Sequence, residues 1–200
     1  MDHAMERRAV RSRDVAWNRL LGVGAISGLV GGIGMAMWQM IYSAVVGDGF
    51  WTPLNVCMAS FVYRADARMM MREAMMHPGM SMAEPLQASH LVVGMLLHLG
   101  FSMVVGMSFA LVLFGLERSG LVPLLRSYGG YVAGSIAGGA ILYFVMMYLV
   151  LGWANPLMKD MTPRGPFFVG HLVFGLLFGL VAFPLLARRS ALERAGIEGR

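Results

Sequence analysis

Four stretches of this chain contain no Asp, Glu, Lys or Arg: residues 20–46, 89–116, 127–158 and 165–187. Each exceeds the roughly 18 apolar residues that a bilayer-crossing helix needs. Backbone amides in hydrocarbon have no water to bond, so each stretch is expected to be helical. Spans are expected at about 20–46, 89–116, 128–153 and 166–187. The third is cut short near Trp153 because Asn155-Pro156 is a helix breaker. The fold expected is all-α: one membrane domain over residues 1–200, an integral four-helix bundle. Only 14% of residues are charged, against about a quarter in soluble domains, too few to clothe a water-exposed surface. The first stretch is too long for a signal-peptide core and lacks a following cleavage site. Residues 197–200, Ile-Glu-Gly-Arg, match a protease site used to remove purification tags and are left out of the functional argument.

Basic residues set the expected orientation. Arg7, Arg8, Arg11, Arg13 and Arg19 precede the first span, Arg118 and Arg126 lie between the second and third, and Arg188, Arg189, Arg194 and Arg200 follow the fourth. The opposite side carries Arg64, Arg68, Arg72, Lys159 and Arg164. The side richer in arginine stays in the cytoplasm, so both termini are expected inside, in a cytoplasmic (inner) membrane. The net charge of +5 then reflects topology signals and contacts to anionic lipid, and no nucleic-acid partner is expected. The loop 47–88 falls outside. Its apolar part, residues 50–63, is too short to span and reads as an interfacial or re-entrant helix with Trp51 and Tyr63 at the interface.

Small residues recur every fourth position: Gly24, Gly28, Gly32 and Ala36; Gly94, Ser102, Gly106 and Ala110; Gly130, Gly134 and Gly138; Gly175 and Gly179. Residues four apart share a helix face, and small ones let backbones approach closely in lipid. A glycine-zipper-like bundle is expected, either closed within the chain, or as a homo-oligomer or subunit of a membrane complex. Histidines and methionines continue the same stripes. Met40 ends the first, His90 and His98 lie on the second, the third reaches Met146, and His171 lies on the fourth. All are expected to face the bundle interior, Met40, His90, Met146 and His171 in its outer half and His98 two turns, about 12 Å, deeper than His90.

Three readings follow. Intramembrane histidines can simply bond across to neighbouring helices, and methionine is a flexible filler. A second reading is binding or transport of copper or another soft metal, since thioethers select Cu(I). Residues 69–82 read MMMREAMMHPGMSM, placing Met69, Met70, Met71, Met75, Met76, His77, Met80 and Met82 in the outer loop. They would capture the ion and pass it to Met40, Met146, His90, His98 and His171. Methionine is frequent throughout, 20 residues in all, so composition accounts for part of that cluster. A third reading is a non-covalent haem b carried between His98 and His171 as an electron carrier. A purely structural subunit and a small oligomeric channel stay open. The lone Cys57 provides no disulfide and no CxxC motif. No P-loop, GxSxG, HExxH or dinucleotide fingerprint is present, so no catalytic residue is assigned and a hydrolase or kinase is not expected.

Two segments, His98-Leu99-Gly100-Phe101-Ser102 and Gly170-His171-Leu172-Val173-Phe174, with a long first outer loop and an Asn/Pro-containing second one, resemble the YagU-like bacterial inner-membrane proteins. The resemblance implies a multi-span inner-membrane fold, weight on His98 and His171, and a link to acid tolerance.

Overall fold

A computed structural model describes residues 3–76 and 88–198. Every regular element among them is helical: α1 (His3–Val45), α2 (Arg64–Met76), α3 (Ala88–Ser119), α4 (Tyr128–Ala154), α5 (Pro156–Met161) and α6 (Arg164–Glu198). Four segments are long and apolar enough to cross a membrane: Trp17–Val45, Ala88–Ser119, Tyr128–Ala154 and Arg164–Leu186. The last, at 23 residues, is the shortest, and at 1.5 Å per residue it still exceeds a hydrocarbon core of about 30 Å. The spans agree with those read from the sequence to within a few residues.

Burial is inverted relative to a soluble domain. Ser27, Ser102, Ser135 and His171 are inside, while Ile26, Ile33, Ile41, Leu96, Val104, Ile141 and Leu149 are exposed. Soluble monomers rarely expose continuous apolar surface on this scale. Exposed aromatics mark both ends of the spans: Trp17 and Tyr128 at one, Trp51 and Trp153 at the other. That is where amphipathic rings sit at a bilayer interface. The chain is a multi-pass membrane protein.

The spans do not close into a ring of equal contacts. α3 packs on α1, α1 on α6 and α6 on α4, whereas α3 and α4 meet at only a few points. Two seams carry the closest approaches. On α1, a Cβ at Gly24 would lie 2.8 Å from the Gly106 carbonyl oxygen, and one at Gly28 2.7 Å from the Gly106 Cα. On α6, a Cβ at Gly175 would lie 3.0 Å from Ile136 Cα of α4. Backbones this close tolerate no side chain. The first, second and fourth small-residue stripes are thus used inside the chain. The third differs from expectation. Gly130 and Gly134 face Leu124 and Leu125 of the preceding turn, and Gly138 faces the Phe109 ring. It is Ser135 and Gly139, one residue on, that meet α6. Phe109 fills the gap between α3 and α4 and stacks edge-on against Phe178 of α6 at 4.9 Å.

The buried face of α4 runs Ser135, Gly139, Tyr143, Met147, Leu151 and on to Asn155, strictly every fourth residue. An α-helix turns about 100° per residue, so four residues drift about 40° and such a stripe would rotate off its neighbour. A π-helical turn at Val145–Val150 winds more slowly and returns it.

Of the two readings of residues 50–63, interfacial or re-entrant, the packing matches the second: the segment folds inward against the spans. It forms a π-helical turn, Pro53–Met58, and a 3-10 turn, Ala59–Phe61. Leu54, Met58, Ala59 and Ser60 are buried, and the Leu54 carbonyl sits where a Cβ on Gly94 of α3 would be. Gly47 and Gly49, with φ near +91° and +88°, let the chain turn back after α1. The third connection, between α4 and α6, is held to the first by Asn155, whose Nδ2 donates to Ser60 Oγ (2.8 Å) and whose Oδ1 accepts the Met158 N–H (3.1 Å). Asn155 is thereby the N-cap of α5, with Pro156 at its first position.

Candidate functional site

The weak α3–α4 contact leaves a chamber of about 80 Å³ among all four spans. Six soft or imidazole donors line it: Met35 from α1, Met58 from the inward-folded turn, His98 from α3, Met146 from the π-helical turn of α4, Met158 from α5 and His171 from α6. The rest of the wall is apolar apart from Ser102, and none of it is charged. π-helical turns recur at functional sites, and here two of them each bring one methionine to the wall.

Both histidines are held by backbone. His98 Nε2 donates to the Gly32 carbonyl oxygen across the α1–α3 seam at 2.8 Å. His171 Nδ1 donates to the Phe167 carbonyl oxygen one turn earlier, also at 2.8 Å. A carbonyl only accepts, so those nitrogens carry the protons, and the neutral rings keep a lone pair on Nδ1 of His98 and Nε2 of His171. Fixing the tautomer through the second nitrogen is how metal-binding histidines are usually prepared. His171 is further braced edge-to-face by Phe167 (4.5 Å) and Tyr143 (5.9 Å). The Ser102 hydroxyl is spent on the His98 carbonyl at 2.7 Å.

The other residues singled out from the sequence fall elsewhere. His90 is buried one layer above the chamber, where its ring stacks on Tyr63 (4.0 Å) and its Nε2 lies 3.3 Å from Asp66 of α2. Met40 is buried in an apolar cluster with Leu54, Met58, Tyr143 and Met147. Met69 and Met76 are exposed on α2, which also carries Met70, Met71 and Met75. His77, Met80 and Met82 lie outside the described residues. Of the sequence-derived set, the chamber therefore unites His98, His171 and Met146. It adds Met35, Met58 and Met158, which helical periodicity could not signal: Met35 is one position off its stripe, and the other two belong to the connections between spans.

Among the described residues no group of three or more His, Cys, Asp or Glu could hold a metal ion. Any metal at this site would rest on thioethers and two imidazoles. No protein family, curated protein or solved structure matches this chain.

Proposed function

We propose that this protein is an inner-membrane carrier or receptor for a soft monovalent metal ion, copper(I), held in the chamber between its spans, with both termini cytoplasmic and the chamber in the outer half of the bilayer. The observation that carries the reading is the meeting of two tautomer-fixed imidazoles and four thioethers on one uncharged wall. Thioether and imidazole donors select Cu(I) over harder ions. The absence of charge on the wall favours a single positive charge, because desolvation of a divalent ion without a counter-charge is far more costly. The exposed methionines of α2 extend this reading to a first capture surface.

Space argues for an ion rather than a haem between His98 and His171. Pockets for drug-sized ligands measure roughly 300–1,000 Å³, against about 80 Å³ here. The glycines beside the histidines are also filled by neighbouring backbone, Gly94 by Leu54 and Gly175 by Ser135 and Ile136.

Copper and iron per mole of detergent-purified protein, before and after incubation with Cu(I), test the proposal. Near-stoichiometric copper that is lost in His171→Ala supports it. Protein that stays copper-free at micromolar Cu(I), or that copurifies with stoichiometric iron and a haem spectrum, overturns it.

A further inference from the structure

A second cavity, about 90 Å³, adjoins the chamber and shares Met35, Met58, His98, Met158 and Phe167 with it. His98 stands on the wall common to both. The second cavity differs in chemistry. Its own lining includes Gln39, Ser43, Asp48, Thr52, Met161 and Thr162. Asp48 and Thr52 follow the end of α1, and Met161 and Thr162 lie where α5 gives way to α6. In a chain of four crossings those two connections are on the same face of the membrane. The cavity therefore runs from that face down to His98.

Four of its polar side chains each donate to a backbone carbonyl. Ser43 Oγ donates to the Gly49 carbonyl (2.7 Å), Thr162 Oγ1 to that of Met158 (2.7 Å), and Gln39 Nε2 to that of Pro166 (2.9 Å). Thr52 Oγ1 likewise donates to the Asp48 carbonyl. Each hydroxyl has one proton, so these three present only lone pairs to anything else. Gln39 retains Oε1 as an acceptor beside one further N–H, and Asp48 adds a carboxylate. Acceptor oxygens beside a negative charge attract cations and repel anions.

We infer that this second cavity is a cation-selective vestibule through which a hydrated ion passes from the connection face to the chamber. Oxygen acceptors replace hydration near the mouth, and Met58, Met158 and His98 take over at the inner end. This rests on the metal reading of the chamber, but it assigns a different set of residues and a different property, the rate of loading.

The test uses the full chain in lipid nanodiscs with Ag(I) as a redox-inert stand-in for Cu(I). Exchange against a chromogenic chelator gives both loading rate and endpoint. Thr52→Trp fills the vestibule, and Asp48→Asn removes its charge. Ser43→Trp is a second plug, used if unfolding shows that Thr52→Trp does not fold. Expected are a plugged protein that loads at least tenfold more slowly to the same endpoint, and an Asp48→Asn protein that loads severalfold more slowly at low salt and loses salt dependence. Plugged and parent proteins loading at one rate overturn the vestibule and leave the chamber standing. A parent that takes up no Ag(I) overturns the chamber reading and the vestibule's role with it. A charged, membrane-impermeant thiol reagent checks the vestibule without metal: in a Cys57→Ser background, Met161→Cys should be modified from the connection face, and protection there removes the water-filled path.

Discussion

His98 of α3 donates its Nε2 proton to the carbonyl oxygen of Gly32 on α1, 2.8 Å away, at the level where a Cβ on Gly32 would meet Ser102. One side chain thus ties two spans together from the wall of the chamber. The structural and ligand roles separate in His98→Gln, because an amide can still donate to Gly32 but has no imidazole lone pair. The expected result is an unfolding free energy within about 1 kcal/mol of the parent and Ag(I) or Cu(I) affinity weakened on the order of 10- to 100-fold. Chelator competition and thermal unfolding in detergent measure the two. Parent-like affinity would remove His98 from the ligand set.

The glycines divide by what surrounds them. Gly28 faces Gly106 backbone at 2.7 Å, whereas nothing lies within 4 Å of a Cβ on Gly115. Gly28→Val should separate α1 from α3 at a cost of about 1–3 kcal/mol or more. Gly115→Ala, in the same bundle, should be neutral or stabilise by roughly 0.5–1 kcal/mol, since alanine is the better helix former. Opposite shifts of the unfolding midpoint are the expected signature. A Gly28→Val protein as stable as its parent would contradict the α1–α3 seam.

Asn155 is buried to 1% exposure and bonds Ser60 through Nδ2 and the Met158 N–H through Oδ1. Asn155→Leu removes the cap of the Met158 amide and the bond to Ser60 Oγ. The cost should be about 1–3 kcal/mol, with earlier proteolysis of the two connections. Equal stability of parent and Asn155→Leu would show that the two connections are not locked by this residue.

Orientation has its own check. Alkaline phosphatase fused in the connection 47–88 should be active and a C-terminal fusion inactive, since eleven of the sixteen Lys and Arg residues flank the spans on the side of the termini. The reverse pattern would move chamber and vestibule to the cytoplasmic half and redirect any ion flow.

Some of this was legible in the sequence because a bilayer leaves few choices. Four uncharged runs of sufficient length must become helices, since unpaired amides are intolerable in hydrocarbon, and their limits follow from where charge and Asn155-Pro156 interrupt them. The stripe Gly94, His98, Ser102 and Gly106 likewise placed His98 on an inward face from spacing alone. His90 shows where that logic stops. It has the same four-residue register as His98 and is also buried, but its ring is taken by Tyr63 and Asp66 from a connection with no period to read. Met58 and Met158 reach the chamber from connections too, whereas Met146, at the end of the third stripe, was legible from spacing and lies within the π-helical turn. Hydrophobic length and periodicity are local, so the sequence alone determined the four long apolar helices and, in three of them, the face that packs inward. Which donors meet depends on how far each helix is rotated and on where the connections fold back. Packing between distant parts of the chain sets both, and only the tertiary structure decided them.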